Sequence, residues 1–222
     1  MFSMFSPEVN AMLIRGIGET LYMTLFSTLF GYIFGIPLGI LLTVTDKDGI
    51  KPNRFLFRIF DVIVNIGRSI PFLILLILLI PFTRVLVGRS YGSTATIVPL
   101  TVAAIPFIAR LVESSLREVD PGVIEAARSM GANTFTIVFK VLLVEARTSL
   151  VVGVTIALGT ILGYSAMAGT VGGGGLGDIA IRYGYYRYET TIMIVTVVLL
   201  VLLVQILQLI GMILSSKLDK RK

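Results

Sequence analysis

Two groups of polar residues in this chain stand at spacings that let them act together. Glu125 and Arg128 lie three apart in DPGVIEAARSMGANTFTIVFKVLLVEAR, the 28 residues from Asp120 to Arg147, and such a pair can meet on a helix surface. Asp61, Asn65 and Arg68 in DVIVNIGRSIPF are four and three apart, so all three project from one helical face. Their chemistry is charge pairing and hydrogen bonding to a ligand or a partner. Thiol attack, imidazole acid–base catalysis and imidazole metal binding are excluded, because the 222 residues contain no cysteine and no histidine. No close carboxylate pair falls inside an apolar segment, which argues against an intramembrane enzyme.

A third group lies in a long apolar run, where Gly163, Tyr164, Ser165, Ala166 and Met167 interrupt the aliphatic residues. Tyr164 and Ser165 can hydrogen-bond across helices, and small residues let backbones approach closely. Met167 carries a flexible thioether that suits either packing or the wall of a greasy path. Just beyond, Gly172, Gly174 and Gly177 in VGGGGLGD formally match the dinucleotide fingerprint GxGxxG. That fingerprint needs a strand before it and a helix after it in a parallel α/β unit. Here a membrane-length apolar segment precedes it, so the match is accidental. The glycines either turn the backbone tightly at a membrane edge or take part in a path. No GxxxxGK followed by serine or threonine occurs, so the chain lacks a phosphate-cradling loop for ATP.

The elements that position these residues follow from local signals. Asp120 suits a helix N-cap, Pro121 the first helical position and Gly131 the place just past a helix end. A short helix from Pro121 to Met130 is expected, with Val123, Ile124 and Ala127 on one face and Glu125 and Arg128 on another. A second helix is expected to start near Asn133 or Thr134.

The rest of the chain reads as membrane. It is 55% hydrophobic with a mean hydropathy of +0.93, well above the roughly 45–50% apolar usage of soluble domains. About 20 helical residues cross the roughly 30 Å of hydrocarbon. Five segments qualify: Leu21 to Val44, Val62 to Phe82, Thr94 to Ile108 (to Leu111 with Arg110 at the interface), Thr148 to Ala168, and Thr190 to Ser215. Ile70 to Phe82 alone would reach only about 20 Å, so the second span is expected to begin near Val62, with Arg68 roughly 9 Å deep. An arginine at depth costs about 2.5–3.5 kcal/mol even on insertion scales. Arg68 therefore faces protein or a watery path, or else snorkels to the headgroups. Pro71 is expected to bend this helix; Pro37 lies in the first span and Pro99 and Pro106 in the third, where bends are tolerated if neighbouring helices satisfy the released carbonyls.

Lysine and arginine mark the cytoplasmic side. With the C-terminus inside, thirteen of the 19 basic residues fall in cytoplasmic segments (Lys47, Lys51, Arg54, Arg58, Arg110, Arg117, Arg128, Lys140, Arg147, Lys217, Lys220, Arg221 and Lys222) and five outside. The N-terminus is therefore expected outside and Asp120 to Arg147 inside. A net charge of +6 and a pI of about 9.7 come from juxtamembrane anchors rather than a basic domain face, which excludes a nucleic-acid binder. No cleavable signal peptide is expected. Without internal repeats or linkers, the chain reads as residues 1–14 outside, one membrane domain over 15–211, and a basic cytoplasmic tail over 212–222.

Glu125, Ala126 and Ala127, followed by Gly131 and Ile137, resemble the EAA loop of permease subunits from bacterial ATP-binding-cassette importers. The resemblance narrows with GETLYMTL, NIGRSIPF, IVPLTVAAIPFIAR and above all GYSAMAGTVGGGGLGDIAIRYGY, which are similar to the permeases of methionine importers over about Arg15 to Gly211. One departure is Val144, where such permeases generally carry proline. The resemblance implies an all-α multi-pass protein of the bacterial inner membrane, with five transmembrane helices and a cytoplasmic coupling helix. It implies a second permease copy, two ATPase subunits that carry the ATP and magnesium, and an extracytoplasmic methionine-binding lipoprotein. This chain itself is expected to hold no cofactor or metal and to be no enzyme. Glu125, Ala126, Ala127, Arg128 and Gly131 would couple to the ATPase, while Asn65, Arg68, Tyr164, Ser165 and Met167 are candidates for the path. A permease of this type for another amino acid, a phosphonate or a sulfonate fits the same residues. A channel or ion-coupled carrier would leave the amphipathic loop unexplained.

Overall fold

Helices are the only regular elements among residues 6–218, which the computed structural model describes. Residues 1–5 of the expected N-terminal segment, and Lys220, Arg221 and Lys222 of the basic tail, lie outside the described residues. The helices are α1 (Pro7–Thr45), α2 (Arg54–Ser69), α3 (Phe72–Leu78), α4 (Ile80–Val87), α5 (Ser93–Arg117), α6 (Pro121–Ser129), α7 (Thr134–Thr136), α8 (Leu143–Glu145), α9 (Arg147–Ala168), α10 (Gly175–Ile179) and α11 (Thr190–Leu218). Two π-helical turns, Ile137–Leu142 and Ala180–Tyr185, join α7 to α8 and extend α10.

Four helical stretches are long and apolar enough to cross a membrane, and a fifth crossing arises if α2 and α3 count together as one broken span. The expected second span was a single bent helix from Val62 to Phe82. Instead the chain breaks at Ile70, whose backbone is extended (φ −79°, ψ 122°), and the pair bends by 99° there. Pro71 is the cause: it has no N–H to donate, and its ring disfavours helical backbone at the residue before it. Two other boundaries also move. Helix α1 begins at Pro7 rather than Leu21, and α5 runs on past Arg110 to Arg117, so Glu113 belongs to a helix that the sequence suggested would already have ended.

The chain divides into two compact units, Met1–Leu29 with Pro71–Ala103 and Leu158–Gln208, and Phe30–Ile70 with Ala104–Ala157 and Leu209–Lys222. In the first, Leu13, Leu176, Ile179, Ile192, Val195 and Leu199 form a buried apolar cluster. In the second, Leu42, Val64 and Ala109 bring α1, α2 and α5 together. The approach of α1 to α5 is close because Gly31, Gly35 and Gly39 make a smooth stripe. A Cβ at Gly35 would stand 2.8 Å from Ile108 Cγ2, and one at Gly39 2.7 Å from the Ala109 carbonyl. With no hydrophobic driving force between helices in lipid, such close van der Waals contact is what holds them. Pro106 takes part similarly, since Gly67 on α2 packs onto its ring.

Candidate functional site

Helix α6 forms where the sequence placed it. Asp120 caps it, its carboxylate accepting from the Gly122 N–H at 2.8 Å, and Pro121 occupies the first helical position. The helix ends at Met130 and Gly131, with Gly131 left-handed at φ +81°. The Gly131 N–H donates to the Arg128 carbonyl at 2.9 Å and the Ala132 N–H to the Ala127 carbonyl at 3.1 Å, a Schellman ending that glycine allows without a Cβ penalty. Asn133 then caps the next helical run by accepting from the Thr136 N–H at 2.8 Å.

Ala127 is buried and anchors α6, with Ile124 half-buried beside it, whereas Glu125, Ala126 and Arg128 are exposed. Val123, expected on the anchoring face, is exposed instead, and so is Met130 at 82%. The outward face of α6 thus combines apolar tips with the Glu125 carboxylate. The expected Glu125–Arg128 pair does not form. The Arg128 guanidinium donates to the Ile50 carbonyl at 2.5 Å, and Glu125 has no ion-pair partner among the described residues. Ile50 lies in the loop between α1 and α2, which folds back so that the Lys51 and Asn53 N–H groups satisfy the Val44 and Thr45 carbonyls at 3.0 and 2.9 Å. A cavity of about 350 Å³ between this loop and α6 is lined by Asp46, Ile50, Arg117, Ile124, Glu125 and Arg128 among others.

Asp61, Asn65 and Arg68 share a face of α2, but only the first two act together. Asn65 donates to Asp61 at 3.1 Å. The Arg110 guanidinium on α5 donates to Asn65 at 2.8 Å and forms a short ion pair with Asp61. Arg68 is exposed in the last turn of α2 with no hydrogen-bond or ion-pair partner among the described residues. Sequence reading had set Arg110 at the membrane interface and did not single out Glu113. That carboxylate is 4% exposed and accepts from Arg110 at 2.6 Å and from Arg117 at 2.7 Å. Arg117 also pairs with Asp46 at 2.7 Å. The signal was present in the i, i+3 and i, i+4 spacing of Arg110, Glu113 and Arg117, but nothing local revealed the partners on α2 and at the end of α1.

Tyr164, Ser165 and Met167 lie in the other unit, on α9. The Tyr164 ring stacks on Phe72 of α3, with centroids 4.7 Å apart and planes 3° apart. Ser165 is buried and donates to the Leu162 carbonyl at 2.7 Å within its own helix, while Met167 is 51% exposed. The glycine run that follows is a turn. Gly172 and Gly174 adopt left-handed or similar backbone at φ +76° and +81°, and Gly169 lies directly against the backbone of Gly177. Helix α10 is capped from α1, Glu19 and Thr20 accepting from the Gly175 and Leu176 N–H groups at 2.8 and 2.9 Å. Neither a strand before it nor a parallel sheet is present among the described residues, so the dinucleotide reading fails. Among the described residues no His, Cys, Asp and Glu group could hold a metal.

Residues 35–222 match the family described as binding-protein-dependent transport system inner membrane components. The chain is similar to a probable D-methionine transport system permease protein of Vibrio cholerae, 54% identical over 210 residues that cover 95% of this chain and 93% of that protein. It is likewise similar to the methionine import system permease protein of Bacillus subtilis, 46% identical over 222 residues and the full length of both. Among solved structures, a chain from inward-facing conformations of the MetNI methionine ABC transporter superposes with a TM-score of 0.96 at 51% identity, covering 97% of this chain and 100% of that one.

Proposed function

We propose, from the premise that this chain belongs to the family of binding-protein-dependent transport system inner membrane components, that it lines the methionine path of an ATP-driven importer. Similarity to methionine permeases at 46% to 54% identity over 95% or more of the chain carries this reading, and the exposed face of α6 supports it. In this reading two copies pair in the bilayer. Two ATPase subunits hold ATP and magnesium and seat α6 through Glu125, Ala126, Arg128 and the turn at Gly131, with Ala127 holding the helix to its own chain. An extracytoplasmic lipoprotein delivers methionine. The N-terminus lies outside with residues 1–14, the membrane domain spans 15–211, and the tail over 212–222 lies in the cytoplasm.

Work is done by differential contact. The ATPase dimer opens and closes, and α6 must fit one state better than the other, because a contact equally good in both states shifts nothing. Displacement of α6 then alternates the path between outward and inward openings. Asn65, Arg68, Tyr164, Ser165 and Met167 are the residues assigned to the path, with Met167 offering a thioether surface to a thioether substrate. The test is uptake of labelled methionine by cells that lack other methionine importers and carry this permease with its ATPase and lipoprotein. Unlabelled methionine should abolish the signal and a sulfonate or phosphonate should not. Competition by the anions but not by methionine would reassign the cargo.

A further inference from the structure

We propose that Glu113 is a positioning residue that makes α1, α2 and α5 move as one body when α6 is displaced. The inference rests on the reading of this chain as a permease driven through α6. Helix α6 begins at Pro121, four residues after α5 ends at Arg117, so a displacement of α6 is passed directly to α5. Glu113 sits in the last turns of α5, buried at 4% exposure. Its two oxygens are held separately, Oε2 by Arg110 at 2.6 Å and Oε1 by Arg117 at 2.7 Å. Each arginine then reaches another element. Arg117 holds Asp46 at the end of α1 at 2.7 Å, and Arg110 holds Asp61 and Asn65 on α2, the latter at 2.8 Å. A second route closes the circuit, since Arg128 on α6 donates to Ile50 in the loop that starts at Asp46.

Stability alone does not account for a carboxylate at this place. Burying the Glu113 carboxylate is costly even with Arg110, Asp61 and Asp46 largely covered around it and Arg117 about half exposed, and apolar residues of similar volume often hold a core as well or better. What directed ion pairs supply is a single register, because each bond has one geometry that satisfies both ends. Among the described residues the glycine stripe of α1 on α5 carries no charged pair until Asp46 at the end of α1 meets Arg117. With Glu113 in place the two arginines cannot turn away from it without leaving a buried charge unpaired. The shift delivered to α5 is therefore passed to α2, which carries Asn65 and Arg68.

The test uses the whole complex, permease with ATPase subunits and lipoprotein, in proteoliposomes. Methionine taken up per ATP hydrolysed is compared for the starting protein, Glu113→Gln and Glu113→Leu. The glutamine keeps the shape but loses the charge and can accept from only one of the two arginines, because its amide nitrogen donates, and the leucine supplies apolar volume. We expect both to assemble and to hydrolyse ATP within about twofold of the starting protein, while uptake per ATP falls about fivefold or more, the usual scale of a lost coupling. A spin label on Arg58→Cys of α2, in a chain that has no other cysteine, should show an ATP-dependent distance change between copies that Glu113→Leu removes. An unchanged ratio and an unchanged label distance overturn the inference, as does failure of both variants to assemble, which would make Glu113 a folding residue. Absence of ATP-driven uptake by the starting protein instead removes the permease reading itself.

Discussion

Gly131→Val isolates the turn that ends α6. Gly131 sits at φ +81°, and a Cβ added there meets no atom within 4 Å, so the Cβ itself has room and the effect expected is backbone strain. A non-glycine residue forced into such a conformation costs about 1–3 kcal/mol, with β-branched residues at the upper end. The chain can relieve that strain only by opening the turn, which breaks the Gly131 and Ala132 N–H bonds to the carbonyls of Arg128 and Ala127. Either way the population of α6 in its docking geometry falls by about fivefold to 150-fold. Affinity for the ATPase subunit should fall in proportion, because only the formed turn presents Glu125 and Met130 together. A graded series gives the control: Gly131→Asn, which tolerates left-handed backbone, should stay near the starting protein, Gly131→Ala should fall between, and Gly131→Val should be worst. The assay is ATPase binding to the purified permease in nanodiscs, read as an equilibrium constant for each variant. If all three bind alike, the turn at Gly131 does not set the docking geometry and the reasoning fails.

Glu125→Lys leaves the turn intact but reverses the charge on the exposed face of α6; like-charge contact at an interface can cost several kcal/mol, so co-purification of the ATPase should be lost while membrane insertion is normal. Pro71→Ala restores an N–H and frees Ile70 to be helical, so α2 should tend to run on into α3; ATPase association should persist and methionine uptake should drop, and full uptake would mean that packing rather than proline sets the break. Arg68→Leu should lower uptake with assembly and ATP hydrolysis unchanged, whereas normal uptake would support a snorkelling arginine. A reporter fused after Lys222 should read cytoplasmic and one placed before Glu8 external; matching sides would remove the proposed topology.

Helix α6 was legible because its signals are local: a capping aspartate, a proline at the first position and a glycine past the end act within one or two turns. The break at Pro71 was half legible. Proline announces a bend, but its size depends on Ile70 taking extended backbone, which needs partners for the freed groups. The charge network was missed for a different reason. Asp61 and Arg110 are 49 residues apart, and no periodicity reports which helices will face each other. Hydropathy also ended the third span at Leu111, whereas paired charges let α5 continue with Glu113 buried and Arg117 exposed at its end. The expected Glu125–Arg128 pair failed similarly, because a surface pair of that spacing is worth only a few tenths of a kcal/mol and the Ile50 carbonyl competes with it.

The central claim is that this chain carries methionine only when ATP is hydrolysed on a partner seated on α6. The most direct measurement is labelled-methionine accumulation in proteoliposomes that hold the permease and its ATPase subunits, with the lipoprotein added outside and ATP sealed inside. The account predicts accumulation against a gradient that needs both additions and disappears with Gly131→Val while the protein remains in the membrane. Methionine flux that proceeds without ATP, or that survives removal of the ATPase subunits, would contradict it and return the chain to the channel or carrier class.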